Sequence, residues 1–428
     1  MLNQLLEVLK TFDGVEYLIN EVTEQRLECY NIKKKPEMKR SINVTNTSLT
    51  LYNVFDDGKY RGSYNTQIHP GTGTEELKTI ITEGLYAAGF VKNAYFPLVS
   101  ADAAKTYNYF DDINTLQTLE KLQEAFYADD NHDKGHLSYG EFFISRHNNR
   151  QINSNGVDNT YISYTASVET AVHWKKEDGS EIEVFENFNV GLDLDDPAAY
   201  VKERMEKLFA TSKNKAVAVP TPDVGEINIL LSGDCLATFF GYYRTRANAQ
   251  MVYQQLSTYK EGDTVQGADN DKITITLAPH MKGAYSPYDG QGFPLESHEI
   301  IKDGKLTKIH GDTRFAHYLN ITPTGNIGNI HVTGGTYPTN NLCKEPYLEL
   351  VSFSDFQANP ITGDFGSEIR LGYYFDGNKI TPVTGGSISG NMEKVHNSLR
   401  MSKEEQQYGG YKGPATVCIT GASISAVV

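Results

Sequence analysis

Two stretches of the chain carry residue types at spacings that metal chemistry would use. In Asp129-Asp130-Asn131-His132-Asp133-Lys134-Gly135, with Glu141 beyond, side-chain oxygens recur at alternating positions after a helical stretch. This is how an EF-hand loop wraps calcium. Two details oppose it: the glycine falls at the seventh loop position where the sharp turn needs the sixth, and the following residues read as a β-hairpin where an exit helix is required. Asp129, Asn131, Asp133 and Glu141 are therefore expected to form a polar helix-to-strand connector without calcium. The second stretch is His298-Glu299, the only place where one of the eleven histidines is followed by glutamate. There is no HExxH or HExxxH, the helical spacing that puts two imidazoles on one metal with a carboxylate beside it. His298 lies on an expected strand before a hairpin, so a cross-strand polar pair is the simpler reading. GxSxG, Walker A and a helix-opening GxGxxG are absent as well.

The segment 226–255, EINILLSGDCLATFFGYYRTRANAQMVYQQ, has the form of a catalytic mount without the usual groups. A buried strand, Ile227 to Leu231, stops at Ser232-Gly233 and turns at once into a helix, with Asp234 placed to cap it. Leu236, Phe239, Phe240 and Tyr243 form a core-facing stripe at helical spacing. A helix fed directly by a strand holds its first turn rigidly at the sheet end. This one carries Arg244, Arg246, Asn248 and Gln250, but no histidine and no glutamate.

Composition bounds the remaining classes. A chain of 428 residues exceeds one usual hydrophobic core, so two domains are expected. With 39% hydrophobic and 22% charged residues and no apolar run long enough to span a bilayer, it reads as an ordinary globular protein with no membrane role. The N-terminal MLNQLLEVLKTF lacks the basic start and cleavage site of a signal peptide, so a cytoplasmic location is expected. Cys29, Cys235, Cys343 and Cys418 form no CxxC pair and read as buried thiols. A net charge of −15 opposes phosphate neutralisation, so no nucleic-acid contact is expected. The short basic run Lys33–Lys35 reads as a solvated strand edge.

The elements follow from periodicity. Leu2, Leu5, Leu6 and Leu9 mark a first helix. Strands follow over 15–30 and 41–55, then Asp56-Asp57-Gly58 turns the chain back through 60–68. Thr72 with Glu75 suggests a capping box for a helix over 76–90, and a second helix spans about 115–127. Strands are expected over 137–145, 151–154 and 160–170, with turns at Asn148-Asn149 and Asn155-Gly156. Asp196-Pro197 opens a helix to about Leu208, and lysine-rich 211–215 reads as a linker. The division falls at 1–215 and 216–428. The second part is Gly-rich with short strands over 273–277, 297–301, 306–310, 330–333, 348–353, 368–375, 379–383 and 415–420. The fold class expected is α+β: an N-terminal mixed sheet with helices, and a mainly antiparallel C-terminal β domain with one strand-to-helix unit at its start.

One family joins these fragments. Tyr285-Ser286-Pro287-Tyr288-Asp289-Gly290-Gln291-Gly292-Phe293-Pro294-Leu295, followed by Glu299-Ile300-Ile301-Lys302-Asp303-Gly304-Lys305-Leu306, resembles the FDDEGVP…LIENGVL signature of the TldD/PmbA family, often called modulators of DNA gyrase. Thr324-Gly325-Asn326, Ile388-Ser389-Gly390-Asn391 and the closing 413–421 follow in the same order. Arg61-Gly62-Ser63, the helix near Ala87-Ala88 and 152–157 resemble the family's N-terminal domain. The resemblance covers nearly the whole chain.

The resemblance implies a fold, an activity and a departure from that activity. Proteolytic members carry HExxxH on the helix after the first C-terminal strand, with a late cysteine completing a zinc site. Aligned from Gly233, those ligand and base positions face Phe240, Gly241 and Thr245, and no histidine occurs between His173 and His280. The loop matching the cysteine reads Tyr408-Gly409-Gly410-Tyr411, while Cys418 lies in the next strand. The chain thus resembles the PmbA (TldE) type, with no metal, no cofactor and no catalytic residue of its own expected. That type pairs with a TldD-type subunit into a peptidase for small or unfolded peptides, which β-strand addition could hold. The alternatives are a stand-alone homodimeric peptide-binding or scaffold protein, or an enzyme using unrecognised residues. Tyr288, Asp289, Asn326 and Asn391 are the polar motif members that could line a peptide groove.

Overall fold

The computed structural model describes residues 1–225, 227–267 and 271–426. Glu226, at the head of the strand-to-helix segment, lies outside them. The N-terminal part is built on one twisted sheet. After α1 (Leu2–Leu9), the strands β1 (Glu16–Ile32), β2 (Lys35–Phe55) and β3 (Tyr60–Ile68) form an antiparallel meander, and α2 (Thr74–Ala88) covers it. The short β4 (Lys105–Tyr107), α3 (Thr115–Phe126), β5 (Gly135–Asn153), β6 (Asp158–Lys175), β7 (Glu181–Val190) and α4 (Pro197–Ala216) complete it. The order is β3-β2-β1-β5-β6-β4, with β7 also on β6. Only β4 runs parallel to its neighbour, which makes the sheet mixed as expected.

Several local expectations are overturned here for physical reasons. Asn148 and Asn149 do not turn: β5 runs straight through them, paired with Thr23 and Val22 on one side and Ile162 and Tyr161 on the other. Ladder bonds on both edges outweigh the turn preference of asparagine. The capping box is not made: Gly73 is the N-cap of α2, and the Thr72 hydroxyl donates to the His69 carbonyl instead. The lysine-rich stretch 211–215 is the last turn of α4, not a linker; Ser212 is buried and Lys213 and Lys215 sit where the helix dipole favours cations. Residues 127–134 connect helix α3 to β5. Around that junction Lys34 Nζ lies 3.3 Å from Asp130, and His132 lies 3.3 Å from Asp129.

The C-terminal part opens with β8 (Val219–Pro220), β9 (Asn228–Ser232) and α5 (Cys235–Arg246). β9 sits inside a ten-stranded sheet, parallel to Tyr347–Phe353 and antiparallel to Thr416–Ile419. A second, six-stranded sheet contains Ile275–Leu277, His298–Lys302, Ile330–Val332 and the hairpin Glu405–Tyr408/Tyr411–Pro414. The expected strand over 306–310 shortens to Lys305–Leu306, and a helix, Thr313–Leu319, follows at once. The expected stripe of α5 is buried: Leu236, Phe239, Phe240 and Tyr243 join one core with Leu231 and Leu350 of the first sheet and Ile275 and Ile330 of the second. Each such aliphatic or aromatic side chain contributes about 1.5–3 kcal/mol on burial, enough to fix the helix between the sheets. Asp234 is the N-cap residue of α5, yet its side chain accepts no capping bond, because its backbone is already helical. The architecture is α+β, with antiparallel pairing dominant in the second part. No helix among the described residues is long and apolar enough to cross a membrane.

Candidate functional site

The outward face of α5 lines a cleft of about 400 Å³. Ala237, Thr238, Gly241, Arg244 and Thr245 supply the helix wall, because positions three, four and seven apart stack on one face. Gly328 and Ile330 form a second wall, Ala358 and Pro360 a third, and Gly410 and Tyr411 close the end. A larger cavity of about 600 Å³ shares Ala237 and Thr238 with it and continues past the start of α5 to Arg204, Glu186 and Tyr408. The two lie side by side along the helix, and the pair is called the groove below.

The three residues aligned with the family's zinc motif part company here. Gly241 and Thr245 face the cleft, whereas Phe240 points the other way, fully buried, with its ring stacked on Tyr411 at 5.9 Å and 10° between planes. Phe240 therefore does not stand at the cleft wall. A Cβ built on Gly241 would meet nothing within 4 Å, so the helix is unfilled at this point. The cleft walls hold no imidazole, thiol or carboxylate, which are the donors a zinc ion needs. Two buried tyrosines, two threonines and an arginine do not fit that metal. Among the described residues, no three His, Cys, Asp or Glu side chains group as a metal site. Cys418 is buried beside Leu230 and Leu342 on the far side of β9.

Arginine supplies the charge. Arg246 is buried and held by both terminal nitrogens: it donates to the Pro360 and Ile361 carbonyls and to Thr258, with its guanidinium 4.7 Å from the Tyr259 ring centre, while its Nε finds no partner among the described residues. Arg244 differs. Among the described residues its side chain makes one hydrogen bond, a long one of 3.5 Å from Nη1 to the Ile327 carbonyl, and burial alone pulls its pKa below the ordinary arginine value. Arginine nevertheless stays protonated, with five donors to satisfy. At the far end of the groove Arg204 is balanced by Glu186, whose own pKa burial pushes up. Arg244 was visible in the sequence as one residue of the helix, but nothing there distinguished it from Arg246.

The motif residues hold the cleft's second wall in place. Asp289 Oδ1 accepts from the backbone N–H groups of Gln291 and Phe293, and Oδ2 accepts from Asn326 N–H at 3.2 Å. Burial raises the Asp289 pKa while these three bonds oppose the shift. Asp289 and Asn326 are thus brought together, and Asn326 leads through the buried Ile327 to Gly328 of the cleft. Tyr288 sits beside them but faces the N-terminal sheet, packed against Tyr107 and Tyr161, with its hydroxyl buried and unpaired. Asn391 stands apart: it caps the short helix Met392–Val395 and donates to the Thr362 carbonyl and to Asp364. His298 faces Leu277 across its strand pair, not a polar partner.

The fold and this helix-lined cleft define an α+β protein whose second half is similar to metallopeptidases: residues 224–426 match the model of the PmbA/TldA metallopeptidase C-terminal domain. That half thus resembles a PmbA/TldA-type domain, and the resemblance to the TldD/PmbA family read from the motif order is borne out. An uncharacterised protein of Methanocaldococcus jannaschii is 26% identical over 286 residues, covering 63% of this chain and 65% of that one. The metalloprotease PmbA of Escherichia coli O157:H7 is 27% identical over 179 residues, 40% of this chain and 39% of that one. The matched stretches thus span less than two thirds of these relatives. The crystal structure of TldE from Thermococcus kodakarensis superposes with a TM-score of 0.74 at 15% identity, over all of both chains, and so shares the fold.

Proposed function

We propose that this chain is a PmbA (TldE)-like, metal-free subunit of a cytoplasmic TldD/PmbA-type peptidase complex that acts on small or unfolded peptides. The observation that carries the reading is the cleft on α5: it keeps the shape of a site built on a strand-fed helix, yet Gly241, Arg244 and Thr245 face it where a peptidase needs imidazole and carboxylate. Catalysis then belongs to a TldD-type partner, and this chain contributes substrate contacts. We take the chain to divide into 1–215 and 216–428, a reading under which the cleft belongs to the second part and the cavity beside it draws residues from both. Main-chain hydrogen bonds to an extended peptide suit substrates with little sequence in common.

The test combines this chain with a TldD-type subunit. Zinc analysis of the purified chain is expected to find far less than one equivalent, and cleavage of an unfolded peptide is expected only when both chains are present. Stoichiometric zinc, or equal cleavage by the partner alone, defeats the reading. In the second case, a single homodimeric peak on size exclusion with no complex would favour a stand-alone peptide-binding or scaffold protein.

A further inference from the structure

Arg244 is a cation in a chain of net charge −15, set in a cleft whose walls hold no acid. Among the described residues this half-buried guanidinium makes one long hydrogen bond, which leaves most of its donors for something that enters from outside. The fork geometry of those donors matches two oxygens in one plane, which is the shape of a carboxylate. Around it the wall is bare backbone: Cβ atoms placed on Gly241 or Gly328 meet nothing within 4 Å. Two further features indicate what kind of carboxylate fits. The cleft holds about 400 Å³ and adjoins the 600 Å³ cavity, with Ala237 and Thr238 lining both, more room than a free acetate or amino acid needs. Ala358, on its third wall, belongs to the two-residue strand Gln357–Ala358, which pairs with Phe365–Gly366 on one side only among the described residues. An extended chain can pair with its other side.

We propose that the cleft on α5 binds the C-terminal carboxylate of a short peptide, with Arg244 as its anchor and the peptide running along the groove toward the start of the helix. The inference deepens the reading of this chain as a peptide-holding subunit and rests on it for the peptide. The guanidinium selects the free acid over the amide, and Gly241 keeps the cleft open.

Isothermal titration of the full chain with penta-alanine, its C-terminal amide and sodium acetate tests this directly. The free acid is expected to bind at least tenfold more tightly than the amide, and acetate more weakly than either. Arg244→Gln should erase the preference for the acid, Arg244→Lys should retain part of it, and Gly241→Leu should abolish binding of both peptides by filling the cleft. Thermal melting of each variant near the parent value establishes that it is folded. Equal affinity for acid and amide, a preference that survives Arg244→Gln, acetate binding as tight as the peptide, or no binding by any probe each overturns the proposal. The titration needs no partner subunit, so its failure leaves the two-chain cleavage assay to stand by itself, and failure of that assay leaves the titration unaffected.

Discussion

The ring of Phe240 lies parallel to that of Tyr411, 5.9 Å between centres and 10° between planes. By sequence, Phe240 aligns with a metal ligand on the helix of the family's proteolytic members, and Tyr411 lies in the loop aligned with their cysteine. An aromatic stack therefore joins α5 to the Glu405–Pro414 hairpin at the two segments a shared zinc would join in a metal-bearing relative. The link is apolar and fully buried, so it holds the groove together without any ion.

That stack makes Phe240 a stability residue. Phe240→Ala removes a ring from a fully buried site and is expected to cost about 3–5 kcal/mol, with Phe240→Leu costing less because it leaves a smaller cavity. Urea denaturation followed by tyrosine fluorescence reads the difference. A loss under about 1 kcal/mol for the alanine variant would mean that the stack does not hold the helix.

Asp289 clamps two loops with three backbone bonds, so its removal should act on the cleft as well as on stability. Asp289→Ala leaves three N–H groups short of a partner and is expected to cost several kcal/mol, at about 1–3 kcal/mol for each that stays buried. Asp289→Asn keeps the shape but loses the charge-assisted bonds, and should fall between the alanine variant and the parent. Hydrogen exchange on 289–295 and 324–328 should rise together in the alanine variant. Exchange rising in one loop only would show that the two are not coupled through this carboxylate.

The buried His310 should make the fold sensitive to mild acid. Its Nε2–H donates to the Arg244 carbonyl, Nδ1 has no partner, and burial lowers its pKa to about 4. The unfolded chain takes up a proton near pH 6.5 while the folded chain resists it to about 4. The folded state therefore binds fewer protons in that window, and the contribution is complete above pH 6.5 and lost as the pH falls toward 4, at most about 1.4 kcal/mol per pH unit. Burial lowers the pKa of His147, His298 and His396 in the same direction. Asp289, whose pKa burial raises, works the opposite way at lower pH. Melting temperature should drop between pH 7 and pH 5, and His310→Phe should flatten that drop while lowering stability at pH 7. An equal slope in the variant would remove His310 from the account.

What could be read from the sequence and what could not divides along local periodicity. The stripe of α5 was legible because Leu236, Phe239, Phe240 and Tyr243 repeat at helical spacing and all reach the core. The end of α4 was hidden because only Phe209 and Ser212 of its last turns are buried among lysines and asparagine. β7 has no counterpart among the expected strands, although Ile182, Val184, Phe188 and Val190 alternate on it, with glutamate and asparagine at most of the positions between them. The cleft itself had no local signal. Gly241, Gly328, Ala358 and Gly410 come from four distant segments, and only the fold reveals that Arg244 faces their common space while Arg246 does not. The TldD/PmbA resemblance was legible because motif order survives where single motifs are weak.

The two halves of the chain are locked at Gly292. Gln151 of β5 donates to the Gly290 carbonyl at 3.0 Å, and Asn159 of β6 donates to the Gly292 carbonyl at 3.2 Å. Gly292 has φ 88°, and a Cβ there would come within 2.6 Å of Gln151 Oε1 and 2.8 Å of Val157 Cγ1. Gly292→Ala therefore carries two separate costs: about 1–2 kcal/mol for an L-residue in left-handed backbone, and the displacement of a buried glutamine. Gln151→Ala removes the second cost but loses the glutamine's own bonds. The two substitutions should thus be less than additive: Gly292→Ala is expected to cost more in the parent than in the Gln151→Ala background, by about 0.5–3 kcal/mol, the range of coupling between residues in contact. A double-mutant cycle by chemical denaturation measures it. Additive losses would show that the glutamine does not close the seam at this glycine.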